Sequence, residues 1–319
     1  MTTESAFIDR LRALASDPAA RGLLDDAAVL PAPLGRDLVL THDVLVEGVH
    51  FLATDPPGDV AWKLVAVNLS DLAAKGAAPI GVLAGYTLGG DPDWDEGFLA
   101  GFARVLGHFD LPLLGGDTVA LPPGTARVLG LTAIGQTLPG AAPARSGARP
   151  GDRLWVTGPV GDAGLGLRIA KGELDGPRRL LKAFRLPMPR LAAGRALAHH
   201  VHAMADISDG LLIDAHRMAA ASGLAVSVDL DAVPLSEEAL ALVGGEREAR
   251  LAAAAAGDDY ELLFAAPDDA TERLMALQQL NLTAVGRFAE GSGITIRDAA
   301  GPVPLPARLG FEHRSGSTA

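Results

Sequence analysis

Apolar residues return with a helical period in some stretches and gather into short blocks in others. Phe7, Ile8, Leu11 and Leu14 share one side of a short amphipathic helix that Ser5 is placed to cap. Between residues 60 and 75, Ala61, Leu64, Val65, Leu69 and Leu72 form a stripe, with Asp59 as the expected cap and Gly76 as the stop. That helix sets Asn68 and Asp71 three residues apart on one flank. A further helix over 93–109 carries Trp94, Phe98, Phe102 and Leu106. The short blocks at 37–41, 80–88, 111–114 and 128–134 read as strands. Their alternation with helices predicts an α/β or α+β layer.

A polar, Gly/Pro-rich stretch over 138–152 reads as the boundary between two domains, 1–140 and 141–319. Beyond it, strands are expected at 153–157, 225–228, 260–265, 284–288 and 294–296. Helices are expected at 189–200 and at 210–221, where Gly223 ends the second. The tail after His313 reads as frayed. At 319 residues and 49% hydrophobic content, the chain can build two ordinary cores.

Aspartates mark the ends of the apolar runs, each in a short turn-like setting: Asp25-Asp26, Asp43, Asp71, Asp117, Asp206 and Asp209. Two carboxylates about 4 Å apart repel by roughly 4 kcal/mol at an effective dielectric near 20. Carboxylates that share a crevice therefore call for cations. An oxygen-only donor set suits magnesium, which pairs one or two carboxylates with substrate phosphates. The net charge of −12 argues against nucleic-acid binding. The absence of cysteine excludes disulfides, thiolate metal sites and cysteine nucleophiles. With no membrane-length apolar run and no leader-like pattern in Met1-Thr2-Thr3-Glu4-Ser5, the cytoplasm is expected.

Each motif has a plainer alternative. No P-loop pattern and no G-x-S-x-G elbow is present. Gly158, Gly161, Gly164 and Gly166 read as a strand-to-helix turn before they read as a phosphate cradle. Gly115-Gly116-Asp117-Thr118 is equally a ligand-approaching backbone with a metal-holding aspartate or a Gly-Gly turn. Asp71 has Lys75 four residues on as a structural partner, and Asp206 and Asp209 could cap the next helix. A lone His50 and the group His199, His200 and His202, at a helix end, read as structural.

Taken together, the segments Thr41–Phe51, Trp62–Ala77, Leu114–Thr118, Arg145–Asp152, Val156–Gly158, Asp206–Leu211 and Gly257–Leu262 resemble the thiamine-monophosphate kinase family. That family lies within the aminoimidazole-ribonucleotide-synthetase-like superfamily. Val67-Asn68-Leu69-Ser70-Asp71-Leu72-Ala73-Ala74 is the most specific segment. The resemblance implies transfer of the ATP γ-phosphoryl group to thiamine monophosphate with several Mg²⁺ ions and no covalent phospho-enzyme. It implies an N-terminal domain for ATP, Mg²⁺ and dimerisation, whose sheet closes a barrel across a homodimer. A C-terminal α/β sandwich would complete the substrate and metal site. Asp26, Thr41, Asp43, Asp71, Asp117, Asp206 and Asp209 would hold metal, with Asp71, Asp117 and Asp209 catalytic. Gly116, Asp117, Arg145 and Ser208 would meet ATP. His50, Asp258 and Phe311 would meet thiamine monophosphate, Phe311 offering an aromatic face to the thiazolium cation.

Three positions depart from the family pattern. His42 stands for the usual Thr, Leu24 for the second Gly of Gly-Ile-Gly-Asp-Asp, and Asp258 for the Glu of Gly-Gly-Glu-Asp-Tyr-Glu. The rival readings are another ATP-dependent synthetase or maturation factor of the superfamily, and a non-catalytic sensor of nucleotide or thiamine phosphate.

Overall fold

The computed structural model describes residues 4–313 apart from 25, 26, 29 and 32, so the expected metal ligand Asp26 lies outside the described residues, as does Asp25. Among the described residues the chain divides into two compact units, 4–72 with 78–140 and 73–77 with 141–313. None of the described helices is long and apolar enough to cross a membrane.

As far as residue 140 the elements are α1 (Glu4–Arg12), β1 (Asp37–Val46), α2 (Pro57–Ala74), β2 (Ala78–Leu88), α3 (Pro92–Phe109), β3 (Leu113–Ala120) and β4 (Val128–Thr137). The four strands order as β1-β4-β2-β3. β4 lies antiparallel to both its neighbours, and β2 runs parallel to β3. α3 opens one residue before the expected start. Asp91 accepts amide hydrogens from Asp93 and Trp94 (both 3.2 Å), and Pro92 needs no amide partner there. Its stripe of Trp94, Phe98 and Phe102 is buried, and Phe98 packs 4.8 Å from Tyr86, which in turn stacks on Phe7 at 4.2 Å. α2 starts at Pro57, so Asp59 sits in its first turn. Every residue from Val60 to Ser70 is buried, Lys63 and Asn68 included, so the helix is enclosed all round instead of showing one stripe.

The turn-like settings expected around two aspartates are strands. Thr41, His42 and Asp43 lie in the middle of β1, opposite Ala133, Thr132 and Leu131 of β4. Gly115 to Thr118 continue β3. The glycine pair serves close strand pairing: Gly116 lies opposite Ala84, whose carbonyl oxygen would stand 1.9 Å from any Cβ added there.

The second unit continues with β5 (Arg153–Val156), α4 (Asp162–Ala170), α5 (Arg178–Arg185), α6 (Leu191–Leu197), β6 (Ala203–Asp206), α7 (Leu211–Ala221), β7 (Leu224–Asp229), α8 (Glu237–Val243) and α9 (Arg247–Ala254). It closes with β8 (Leu262–Ala266), α10 (Thr271–Met275), β9 (Thr283–Glu290), β10 (Gly293–Asp298) and β11 (Gly301–Val303). Its seven strands order as β11-β10-β7-β9-β5-β8-β6. One face buries Val226, Val228, Phe288 and Ile296 with Leu211, Leu212, Ala215 and Met218 of α7. α6 stops at Leu197, so His199, His200 and His202 lie beyond the helix, and His202 Nδ1 meets Asp152 at 2.9 Å.

The glycine series after β5 makes a turn at Gly158 and Gly161 and continues into α4 with Gly164 and Gly166. The amides of Gly161 and Ala163, where an anion would sit, donate to the Asp259 carboxylate at 2.8 and 3.4 Å. Gly166 lets α4 approach α5, since a Cβ there would lie 2.1 Å from the Leu180 carbonyl oxygen. Gly166→Ala is accordingly expected to destabilise the protein by about 1–3 kcal/mol in denaturant unfolding.

Candidate active site

β1 and α2 bring the first set of oxygens together. Thr41 Oγ1 donates to Asp71 Oδ2. One pleat on, the Asp43 amide donates to Asn68 Oδ1 at 3.1 Å, and buried Asn68 is itself held by the Leu64 carbonyl at 2.9 Å. Asn68 thus pins the strand to the helix at the level where Asp43 and Asp71 face each other. The Asp43 carboxyl is pushed up to about 6, first by burial and then by the negative charge of Asp71. Two neighbouring carboxylates and a hydroxyl are a hard-cation donor set. Among the described residues, no group of three or more His, Cys, Asp or Glu is gathered closely enough to hold a metal unaided. The Thr41–Asp43–Asp71 set therefore fits an ion that takes its remaining oxygens from phosphates or water.

Asp117 is exposed on β3 and accepts its neighbour Thr118's amide at 2.9 Å. With Gly115, Gly116, His42 and Thr132 it lines a cavity of about 600 Å³ on the sheet face. His42 Nδ1 lies 2.9 Å from Thr132 Oγ1, so the departure from Thr is absorbed by a cross-strand hydrogen bond. His50 Nδ1 accepts the Val46 amide hydrogen at 3.0 Å, and Lys63 Nζ holds the His50 carbonyl at 2.9 Å.

In the second unit, β6 delivers buried Asp206 into the turn before α7. Asp206 and Asp209 do not cap that helix. The residue before it is Gly210, and Asp214 reaches back to accept the amides of Asp209 (3.1 Å) and Gly210 (3.2 Å). Arg217 binds both Asp209 and Asp214. Burial raises the Asp214 carboxyl, the Asp209 amide bond and Arg217 opposing it. The Ser208 carbonyl accepts the Asp258 amide at 2.7 Å, and the Asp209 carbonyl accepts the Phe311 amide at 2.9 Å. Ser208, Asp209, Asp258 and Phe311 are thereby gathered in one place. Arg145 is exposed in the loop after β4. Glu261, whose carbonyl accepts the Ile207 amide, is 3% exposed and takes two hydrogen bonds from Arg190 and one, at 2.6 Å, from Thr157.

Residues 24–137 match the model of the AIR synthase related protein N-terminal domain, and 149–299 that of its C-terminal domain. The chain is 42% identical to the thiamine-monophosphate kinase of Caulobacter vibrioides over 93% of its own length and 86% of that protein's. The belonging is plain. The chain belongs to the thiamine-monophosphate kinase family. The Escherichia coli K12 member is 36% identical, covering 96% of this chain and 95% of that protein. The crystal structure of thiamine-monophosphate kinase from Stenotrophomonas maltophilia superposes with a TM-score of 0.81 at 38% identity, over 91% of this chain and 95% of that one. The structure of AaThiL complexed with AMPPCP and TMP gives 0.75 at 30%, over 92% and 93%. The hydrogenase maturation protein HypE, 22% identical at 0.80, shares the fold alone.

For this member of the thiamine-monophosphate kinase family, sequence reasoning passed over the residues that hold the site's shape. Asn68 was placed on the Asp71 flank without a role. Asp214 and Arg217 carried a readable sign, acidic and basic side chains five and eight positions after Asp209 on one helix. The Arg190–Glu261 pair joins residues 71 positions apart, and no local pattern announces it.

The Asp43 shift has a consequence for stability. The folded carboxyl binds its proton up to about pH 6, against 3.8 for an ordinary aspartate, so the folded state holds more protons across that interval. The Asp43 contribution to the stability of the metal-free protein therefore falls as pH rises from about 4 through 6. Asp43→Asn is expected to flatten that slope and to stabilise the EDTA-treated protein at pH 7.5 by about 1–3 kcal/mol, read by urea unfolding across pH.

Proposed function

We propose that the chain phosphorylates thiamine monophosphate with ATP, in one in-line displacement. An oxygen of the substrate phosphate attacks the γ-phosphorus, the bond to the β–γ bridging oxygen breaks, and ADP leaves with that electron pair. The products are thiamine diphosphate and ADP. The acceptor is already anionic, so no strong base is needed, and catalysis reduces to positioning and charge neutralisation. The observation that carries this reading is the Thr41–Asp43–Asp71 oxygen set in a chain of this family. A conventional helix-terminal phosphate site is closed off by Asp259.

In this proposal Thr41, Asp43, Asp71 and Asp117 in the first unit, and Asp206 and Asp209 in the second, are the magnesium ligands. Bound Mg²⁺ supplies neutralisation of the phosphate charge. Gly116 leaves its backbone bare toward the nucleotide, while Arg145 and Ser208 contact ATP. His50, Asp258 and Phe311 receive thiamine monophosphate. Asn68 and Asp214 keep the carboxylates at their stations. A cytoplasmic setting accords with ATP as the donor.

We further propose a homodimer that closes the four-stranded sheet into a barrel. Support comes from β1, an edge strand whose residues Leu38, Leu40 and Val44 are 48%, 62% and 41% exposed on one face. Leu40→Glu is expected to shift the protein to monomer in sedimentation velocity.

A coupled ATP-to-ADP assay with thiamine monophosphate tests the reaction, with mass spectrometry to identify thiamine diphosphate. EDTA should abolish turnover and Mg²⁺ restore it. Asp71→Asn and Asp117→Asn should each lower kcat by at least about a hundredfold with the fold intact by circular dichroism. Full activity in either variant, or indifference to chelation, would overturn the assignment.

A further inference from the structure

The loop over 257–261 holds two non-glycine residues in left-handed backbone, Asp258 at φ 68° and Tyr260 at φ 52°. An aromatic residue takes that conformation only when its surroundings impose it. Here both flanks do. The Asp258 amide donates to the Ser208 carbonyl at 2.7 Å, the Tyr260 amide to the Ile207 carbonyl at 2.8 Å, and the Ile207 amide to the Glu261 carbonyl at 2.8 Å. Between the two strained positions, the Asp259 carboxylate grips the Gly161 and Ala163 amides. Gly257 admits no side chain, because a Cβ would stand 2.7 Å from the Ser208 carbonyl oxygen. The loop therefore has one shape. Its product is a short contact: the Tyr260 hydroxyl, on a ring only 7% exposed, donates to Asp258 Oδ1 at 2.9 Å.

We propose that Tyr260 is a positioning residue for substrate, fixing the Asp258 carboxylate toward the cationic, amine-bearing thiamine moiety of thiamine monophosphate. The proposal rests on the reading of Asp258 as a substrate contact. The strain at 258 and 260 points the phenol back at the carboxylate two residues earlier. A charge-assisted hydrogen bond to one oxygen then selects the carboxylate's orientation. Asp258, shorter than the glutamate usual in the family, has fewer torsions to restrain, so a single donor is enough. Phe311, tied to the adjacent Asp209 carbonyl, adds an aromatic face to the same place.

The test is a double-mutant cycle on the magnesium-loaded enzyme, with Tyr260→Phe, Asp258→Asn and the pair. Steady-state kinetics is joined by calorimetric binding of thiamine monophosphate without ATP. Tyr260→Phe should raise KM and Kd for thiamine monophosphate roughly tenfold, leaving kcat and KM for ATP within about twofold. The double variant should be no worse than Asp258→Asn alone, since the hydroxyl acts through that carboxylate. A merely structural tyrosine would lower thermal stability and disturb both substrates alike. If Asp258→Asn weakens binding while Tyr260→Phe does not, or if the two effects add, the positioning role is overturned and the substrate reading stands. If Asp258→Asn has no effect, the substrate reading of Asp258 fails and the proposal with it. Should Tyr260→Phe not fold, NMR of the unsubstituted protein decides. A slowly exchanging Tyr260 hydroxyl proton, lost in Asp258→Ala, supports the bond, and its absence overturns it.

Discussion

The first unit holds the Asp43 carboxyl partly buried and beside Asp71, first burial and then the neighbouring charge resisting its ionisation. The two carboxylates can be held together only by a scaffold that cannot relax away from them. β1 is held to β4 through ten paired positions, and α2 is buried on every side over two and a half turns or more. Asn68 locks one to the other through a bond at each end of its side-chain amide. Under the proposed function, a bound cation would offset the cost of ionising this buried pair. A flexible loop carrying the same two aspartates would splay and lose that advantage.

The second unit solves a related problem with internal counter-charges. Asp214, buried and raised by its burial, is spent on backbone amides and on Arg217, leaving the turn after β6 rigid. Glu261 carries a bidentate Arg190 and the Thr157 hydroxyl, an arrangement in which both carboxylate oxygens are satisfied. Around these fixed points sit Ser208, Asp209, Asp258 and Phe311. Rigid neighbours, more than the named ligands themselves, define where those groups stand.

Long, strongly periodic elements were legible from the sequence. α2 and α3 fall where apolar spacing predicted helices and α7 where Gly210 and Gly223 bound one, although α2 is enclosed on every side and not along one stripe only. Of the short helices, α1 and α6 were legible and others were not. α4 and α5 hide behind glycines and a run of arginines, and their packing depends on Gly166 meeting Leu180, a contact no local pattern encodes. The strand expected at 37–41 runs on through His42 and Asp43, and that continuation, like the strand character of Gly115–Thr118, was missed for a similar reason. Polar and glycine residues there suggest turns, whereas pairing with β4 and β2 imposes extension. The aspartates themselves were visible, along with the family they mark. Their supports were not, since Asn68 and Arg190 matter only through partners that folding brings near.

Asp259 has one more implication. A helix start that would otherwise attract sulfate or inorganic phosphate is plugged from within by the protein's own acid. Such a stopper closes this one helix start to ambient oxyanions. The glycines around it then answer to packing: a Cβ at Gly161 would stand 2.4 Å from Ala253, and one at Gly164 2.6 Å from Ala256.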